Sequence, residues 1–366
     1  MLRLPPVDFR APRSLDELLT EFSGENVRLV AGGTDLWPNM KRRHQQAKTV
    51  VSLMSIPELH SLDQSNGELR IGATTTLSQI IRNREVRERF PAFARALASI
   101  SSPPLRNMGT LGGNLCVDTR CTYYNQSEEW RRSIDYCMKE SGTICWVATK
   151  SPRCWAHSAS DSAPVLCALG ARVRLVSGSG ERVIPLTDFY RDDGIEYLGK
   201  RPDEVLTQVL VPTESDAASC RSAFWKLRRR GSIDFSVLSV GAAVWTDDGG
   251  VVTRAAVYLG AVGSSPVAVT DAEPILVGKR MTEEVINRVA KRAHKDAQPM
   301  SNTDFVASWR GKMAEHYTCG ALSEIAGLPH KILAQKHCLT FVLSFLFVYQ
   351  SLTRLYTLRA LSSKIL

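Results

Sequence analysis

The amino-acid sequence predicts an α+β fold of two domains, followed by a tail of different character. Short apolar strand patterns alternate with short helical patterns over residues 1–214. Three alternating segments and then two helical patterns occupy residues 215–327, so the helices of this part follow its strands. A polar stretch at 115–158 interrupts the first pattern, and residues 328–366 show neither pattern. We therefore expect a larger N-terminal domain with an insertion and a smaller C-terminal domain.

The N-terminal domain begins with a helix signal. Ser14-Leu15-Asp16-Glu17 has the form of a capping box and predicts a short helix that ends near Phe22. The patterns that follow predict strands at 27–30, 49–53, 69–73, 171–176 and 205–211, and helices at 77–81 and 90–100. The last of these helices has four apolar residues, from Phe93 to Ile100, on one face.

The insertion has no sustained hydrophobic period, and it contains three of the seven tryptophans. A long stretch without regular structure inside a domain is usually either functional or disordered. The tryptophans and a group of cysteines argue against disorder, so we expect a functional segment.

The C-terminal domain follows a polar linker at 213–219. Asp247-Asp248-Gly249-Gly250 separates two alternating segments, which is typical of a β-hairpin. The predicted elements are strands at 223–229, 236–246 and 251–260, and helices at 282–294 and 302–325.

Composition and charge limit the possible partners. The formal net charge of +9 permits nucleic-acid binding, but no basic run is interleaved with aromatic residues. Arg228-Arg229-Arg230 is a tight basic cluster, so we expect a cationic face for an acidic partner instead. The first residues lack the apolar segment of a signal peptide, which favours a cytoplasmic location with reduced cysteines.

Four cysteines in the insertion predict a metal site. Fifteen, seven and eight residues separate Cys121, Cys137, Cys145 and Cys154. Four thiolates suit an iron–sulfur cluster or a structural zinc, and this spacing alone does not choose between them. The other five cysteines are expected to be inert packed thiols: Cys116, Cys167, Cys220, Cys319 and Cys338.

Two loops with paired glycines predict an anion-binding site. Ala31-Gly32-Gly33-Thr34-Asp35 follows a predicted strand, and Thr110-Leu111-Gly112-Gly113-Asn114 forms a second loop. Glycine pairs let backbone N–H groups approach an anion closely. Neither loop has the G-x-G-x-x-G pattern of a Rossmann fold, and together they fit a ligand with two phosphates.

These loops and three further segments resemble the FAD-binding subunits of the xanthine oxidase, or molybdenum hydroxylase, family. The resemblance covers about residues 1–327, with the motifs in the expected order, and the tail has no counterpart. It implies a two-part FAD-binding domain of the molybdenum hydroxylase flavoprotein type and a smaller C-terminal α+β domain. The matching segments are 29–36, 71–77, 105–114, 160–166 and 224–228 followed by Asp234.

The resemblance also implies which residues contact the cofactor. The two glycine loops would hold the FAD pyrophosphate, and a carboxylate and an ammonium would tune the flavin from nearby. By residue type alone, Asp161 would be a residue near a helix N-terminus and Lys226 a solvated strand lysine. The implied FAD contacts are Leu29, Val30, Ala31, Gly32, Gly33, Thr34, Asp35, Leu36, Ile100, Thr110, Leu111, Gly112, Gly113, Asn114, Asp161, Leu206 and Lys226.

The insertion is similar to that of one branch of this family, the β subunits of 4-hydroxybenzoyl-CoA reductases. Forty-six residues separate Asn114 from Asp161, whereas most family members have a short connection here. The branch implies that Cys121, Cys137, Cys145 and Cys154 hold a [4Fe–4S] cluster.

The branch implies a relay subunit without catalytic residues of its own. Reduced ferredoxin would donate electrons, which pass through the cluster and FAD to [2Fe–2S] and molybdenum subunits. The assembly, a dimer of heterotrimers, would convert 4-hydroxybenzoyl-CoA to benzoyl-CoA and water. The basic residues expected to be exposed on the insertion, either for ferredoxin docking or as a solvated surface, are Arg131, Arg132, Lys139, Lys150 and Arg153.

Two other functions stay open from the sequence. One is the FAD subunit of another molybdenum hydroxylase, acting on an aldehyde, xanthine or CO, with structural zinc in the insertion. The other is a non-enzymatic assembly or scaffold protein that retains the fold.

The tail contains an uncharged run at 339–348, which is shorter than the roughly 20 residues of a membrane span. It is interpreted as a partner-docking helix, an interfacial anchor or a sequence foreign to the domain.

Overall fold

Three β-sheets and the helices packed on them form the described part of the chain, which confirms the α+β prediction. The computed structural model describes residues 2–22, 26–213 and 220–329. Most of the predicted linker and all of the uncharged run in the tail lie outside the described residues. Residues 1–328 form one compact unit.

The first sheet is parallel and has three strands in the order β1-β3-β2. Helix α1 precedes β2, and the Ser14 side chain accepts a hydrogen bond from the Glu17 amide (3.2 Å), as the capping box predicts. The elements are β1 (Asp8–Arg10), α1 (Leu15–Glu21), β2 (Val27–Val30), α2 (Leu36–Lys41) and β3 (Thr49–Ser52). The first glycine loop is the connection from β2 to α2.

The second sheet is antiparallel and has five strands in the order β4-β5-β8-β6-β7. Its strands are β4 (Leu62–Ser65), β5 (Glu68–Gly72), β6 (Arg172–Ser177), β7 (Gly180–Pro185) and β8 (Val205–Pro212). The associated helices are α3 (Leu77–Arg82), α4 (Arg84–Arg89), α5 (Pro91–Ala98), α6 (Pro103–Arg106), α7 (Leu111–Leu115) and α9 (Ala163–Ala168). The predicted apolar face of α5 is buried at Phe93, Ala96 and Leu97, which join the largest hydrophobic core.

The third sheet is antiparallel and has the order β12-β11-β10-β9. Its elements are β9 (Cys220–Leu227), β10 (Leu238–Thr246), β11 (Val252–Gly260), β12 (Val267–Ala268), α10 (Ala272–Leu276), α11 (Glu283–Asp296) and α12 (Ala307–Ala326). The predicted hairpin turn joins β10 to β11, and Gly250 has the positive φ of +74° that such a turn requires. A side chain at Gly241 on β10 would overlap the Val165 backbone of α9, so this strand and helix pack closely.

The insertion is folded. The sequence pattern predicted no regular structure in it, and this is wrong because the insertion contains one helix. Helix α8 (Glu128–Ser133) begins after Ser127, whose side chain accepts from the Trp130 amide (3.3 Å). At the base of the insertion, the backbones of Arg120 and His157 exchange two hydrogen bonds of 2.8 Å. The Thr122 amide donates to the Asn302 carbonyl (2.9 Å), which fastens the insertion to the C-terminal domain.

Among the described residues, no helix combines the length and the apolar character that crossing a bilayer requires.

Candidate functional site

The first glycine loop is shaped by close backbone packing. Gly33 has a φ of +68°, which favours glycine, and a side chain there would overlap the Trp37 ring. A side chain at Gly32 would overlap the carbonyl oxygen of Met108, just before the second loop. Gly109 also lies close to the Thr34 hydroxyl. The two predicted loops therefore lie against each other.

The first loop carries unused hydrogen-bond donors. Within the described residues, the backbone N–H groups of Gly32, Gly33, Thr34 and Asp35 donate to no other protein group. Consecutive free N–H groups after a strand form a cradle for an anion. This loop therefore suits the phosphates of a nucleotide cofactor.

Three backbone N–H groups of the second loop donate to other groups of the protein. The Gly112 amide donates to the Ala73 carbonyl (2.9 Å) and the Leu111 amide to the Thr75 carbonyl (3.1 Å). The Gly113 amide donates to the Thr110 side chain (3.1 Å). The amides at 111–113 are thus engaged by the protein, whereas those at 32–35 are free, a difference that the sequence does not reveal.

The segment after the insertion returns to the second loop. The Asn114 side-chain oxygen accepts from the Ser162 hydroxyl (2.6 Å) and the Ser160 hydroxyl (3.0 Å). Asp161, between these serines, forms an ion pair of 2.6 Å with Lys226 on β9 and accepts from the Ser236 hydroxyl (2.5 Å). The structure therefore brings Asn114, Asp161 and Lys226 into one region, through hydrogen bonds of Asp161 and of the serines on either side of it.

Lys226 is an internal residue, and its interpretation as a solvated strand lysine is wrong. Its side chain is only 4% exposed. Besides Asp161, its ammonium donates to the carbonyls of Ser99 (3.2 Å) and Asp234 (3.0 Å). All three ammonium protons are thereby used.

The two predicted apolar contacts lie on different sides of this region. Ile100 follows Ser99 and is half-buried against the main core, and its carbonyl accepts from Arg106 (2.7 Å). Leu206 is buried on β8 in the same core. The carbonyl of its neighbour Thr207 accepts a hydrogen bond from the Ala73 amide (2.9 Å). The Ala73 carbonyl in turn accepts from the Gly112 amide.

Arg120 is a site residue that sequence reasoning missed. Its guanidinium pairs with Asp35 of the first loop, donates to Asn39 (3.3 Å) and lies 4.6 Å from the Phe235 ring centroid. Burial raises the pKa of Asp35, and Arg120 opposes that shift. One side chain thus connects the base of the insertion with the first loop. The feature of the sequence that could have identified Arg120 as a site residue is its position directly before Cys121.

The four cysteines of the insertion are buried free thiols. Cys121, Cys137 and Cys154 share one cluster of packed side chains with Tyr124. A hydrogen bond from Cys154 lowers the pKa of the Cys145 thiol. That bond and burial raise the pKa of Cys154. The fold therefore gathers cysteines that are far apart in sequence.

These cysteines do not form a closed ligand set. Within residues 2–22, 26–213 and 220–329, no three histidine, cysteine, aspartate or glutamate side chains are arranged to hold a metal ion. Four thiols are donors of the type that binds iron–sulfur clusters or zinc, whereas their arrangement among the described residues is not that of a metal site.

Two of the basic residues expected on the surface of the insertion are internal, which corrects the predicted docking set. Arg131 is 1% exposed and pairs with Glu140 (2.5 Å) while donating to several backbone carbonyls. The Lys139 side chain is also buried. Arg153 stacks on Trp155 and pairs with Asp192. Arg132 and Lys150 are exposed, as expected.

The remaining described cysteines behave as packed thiols. Burial raises the pKa of Cys116 and of Cys220 to about 11 and raises that of Cys167 further. These thiols are therefore protonated and unreactive near neutral pH. Cys338 lies outside the described residues.

We expect stability to fall below pH 6.5 because of His44. Burial, with a smaller contribution from Arg131, lowers the pKa of His44 to about 4. The unfolded chain binds a proton near pH 6.5, so the native state loses stability as the pH falls from 6.5 to 4. The loss from this residue is on the order of 3 kcal/mol.

Urea unfolding between pH 7 and pH 4 tests this expectation. His44→Phe keeps a ring against Tyr124, whose ring centroid lies 4.9 Å from that of His44, and should flatten the dependence of stability on pH. His60→Gln removes an exposed histidine and serves as the control. Equal slopes in wild type and His44→Phe would contradict the assignment.

Comparisons with known proteins show the family to which this chain belongs. The FAD-binding domain of molybdopterin dehydrogenases matches residues 5–214, and the CO dehydrogenase flavoprotein C-terminal domain matches residues 222–325. The fold and the loop of free amides define a nucleotide-cofactor protein. The chain belongs to the FAD-binding subunits of the molybdopterin dehydrogenases, a family of oxidoreductase subunits.

Similar proteins include FAD subunits from several bacteria. The nicotinate dehydrogenase FAD-subunit of Eubacterium barkeri is 29% identical over 80% of this chain and 87% of its own length. The carbon monoxide dehydrogenase medium chain of Afipia carboxidovorans is 26% identical over 84% of this chain and 92% of its own.

Solved structures share the fold. Carbon monoxide dehydrogenase from Hydrogenophaga pseudoflava gives a TM-score of 0.73 at 24% identity, covering 88% of this chain and 98% of that chain. Quinoline 2-oxidoreductase from Pseudomonas putida 86 gives 0.70 at 24% identity, covering 89% and 98%.

Proposed function

We propose that this chain is the FAD and [4Fe–4S] subunit of a 4-hydroxybenzoyl-CoA reductase, relaying electrons from reduced ferredoxin towards a molybdenum centre. The observation that carries the proposal is the gathering of four buried, free thiols in an insertion that is tied to the first glycine loop. Family membership alone accounts for a flavin subunit. The cysteines are the reason for proposing the reductase branch.

The loop of free amides supports FAD binding by this chain. Gly32–Asp35 would donate to the pyrophosphate, and the loop at 110–114, which lies against that loop, would also contact it. The buried Lys226–Asp161 pair would present fixed charge near the flavin ring, with Ile100 and Leu206 as apolar neighbours. FAD would accept and release electrons, and the protein residues would fix its position and charge environment.

The cysteines supply the donors that a cluster requires. All four are buried and none forms a disulfide. Because metal binding and site formation are coupled, thiols that lie near one another without closing a ligand set are compatible with this proposal. A bound cluster would supply one-electron transfer beside the flavin.

The remaining parts of the proposal concern partners. Carbon monoxide dehydrogenase relatives carry the name medium chain, which supports assembly with molybdenum and [2Fe–2S] subunits, proposed here as a dimer of heterotrimers. Exposed Arg132 and Lys150 would contact an acidic ferredoxin.

We also propose domain boundaries at 1–214 and 215–327, and a cytoplasmic location in keeping with the free thiols.

A second candidate is the FAD subunit of a dehydrogenase with structural zinc in the insertion. The curated relatives are dehydrogenase subunits for nicotinate, carbon monoxide and xanthine, which favours this candidate. A scaffold protein has less support, because it would have no use for free loop amides and a buried Lys226–Asp161 pair.

Metal and flavin analysis of anaerobically purified protein tests the proposal. Four irons and four sulfides per FAD are expected. One zinc without iron would establish the second candidate, and absence of flavin would favour a scaffold.

We expect Cys137→Ser to remove iron and sulfide while FAD stays bound, because the cysteines and the glycine loops are separate groups of residues. Iron content and flavin absorbance are the measurements. Cys319→Ser, on α12, is the matched control and should keep both. Iron that survives Cys137→Ser would show that the ligand assignment is wrong.

A further inference from the structure

A buried lysine ammonium lies within the cysteine region of the insertion. The Lys139 side chain is 6% exposed. Its ammonium donates to the Asp118 carboxylate (2.8 Å), the Thr119 hydroxyl (2.8 Å) and the Gly194 carbonyl (2.6 Å). All its protons are therefore used, and the charge is held in one place.

This ammonium is linked directly to the backbone that packs on Cys154. The Gly194 amide donates to the Cys154 carbonyl (2.9 Å), and a Cβ on Gly194 would lie 2.6 Å from the Cys154 sulfur. Lys139 is also two residues from Cys137. The charge therefore belongs to the surroundings of two of the four sulfurs.

The surroundings of Lys139 are poor in water. The Tyr124 ring centroid lies 5.2 Å from the ammonium and that of Tyr197 lies 5.7 Å away. Asp118 is 9% exposed and also accepts from Gln45 (3.1 Å). Charges in such surroundings interact more strongly than charges in water.

We infer that Lys139 and Asp118 are positioning residues that set the electron affinity of the cysteine site, an inference that rests on the proposed function. Four thiolates bring negative charge to any bound cluster, and reduction adds one more electron. A fixed ammonium beside Cys154 favours that addition, and the carboxylate moderates its effect. The electron comes from the donor and remains on the cluster, so no bond is formed or broken by Lys139.

Opposite shifts from the two residues separate this role from a structural one. Lys139→Met leaves the Asp118 charge and should lower the reduction potential of the cluster. Asp118→Asn leaves the ammonium and should raise the potential. Structural damage alone would not be expected to shift the reduction potential in opposite directions for the two members of one ion pair.

The experiment is an EPR-monitored redox titration of the purified complex. We expect at least a tenfold change in the reduction equilibrium for each variant, which is about 59 mV for one electron. Lys139→Arg keeps the charge and should stay near the wild-type potential. Lys48→Met removes an exposed lysine to which no role is assigned and is the control.

The outcomes distinguish the inference from the proposed function. Opposite shifts, with Lys48→Met unchanged, support the inference. Unchanged potentials, or shifts in the same direction, overturn it while the proposed function stands. If Lys139→Met retains no iron, the comparison is between the reduction potentials of Asp118→Asn and Lys139→Arg. A higher potential in Asp118→Asn supports the inference, and an equal or lower potential overturns it. Wild-type protein without an iron–sulfur signal overturns the proposed function and the inference together.

Discussion

Gly32→Ala is expected to abolish tight FAD binding. The added methyl group would overlap the carbonyl oxygen of Met108, which is backbone and cannot rotate away. The two glycine loops would have to separate, and the free amides of the first loop would lose their common orientation. Overpacking of this kind costs about 1–3 kcal/mol. Since 1.4 kcal/mol is tenfold in affinity, we expect FAD affinity to fall by between about 5-fold and about 140-fold.

Flavin fluorescence titration of FAD-depleted protein measures this effect. Gly178→Ala is the matched control, because an added methyl group there has no neighbour within 4 Å. The control should bind FAD as wild type does. An affinity of Gly32→Ala within threefold of wild type would sink the assignment of this loop to the pyrophosphate.

Lys226→Met is expected to destabilise the folded protein by about 3–5 kcal/mol, because breaking a buried ion pair leaves an uncompensated charge. Asp161 would keep only its neutral hydrogen-bond partners, such as Ser236. The carbonyls of Ser99 and Asp234 would also lose a donor.

Urea unfolding of the FAD-free protein tests the effect apart from the cofactor. The double variant Lys226→Met/Asp161→Asn removes both charges and should lose less stability than the sum of the single variants. Lys48→Met removes an exposed lysine and is the control. A cost below about 1 kcal/mol for Lys226→Met would match a solvated lysine and contradict the buried pair.

Local patterns in the sequence predicted most of the regular elements. The capping box at Ser14, the apolar face of α5 and the hairpin turn at Asp247 all depend on interactions within a few residues. Such interactions act wherever the chain is placed, so they can be inferred without knowledge of the fold. Helix α8 was missed because it is short and its signal is the cap at Ser127 rather than a hydrophobic period.

Long-range contacts were beyond the sequence patterns. The burial of Arg131 follows from its pairing with Glu140 and from backbone carbonyls of Arg42 and Arg43, which a local pattern cannot bring together. The role of Arg120 likewise depends on Asp35, which lies 85 residues away. An arginine or lysine in a polar stretch is expected in solvent until its partners are known.

The sequence by itself determined the α+β class, the two glycine loops and the group of four cysteines, because these depend on residue type, spacing and short-range periodicity. The tertiary structure decided which loop has free amides, which lysines are internal and that the four cysteines are buried. Those properties depend on which distant groups share hydrogen bonds and exclude water, and chain folding alone brings such groups together.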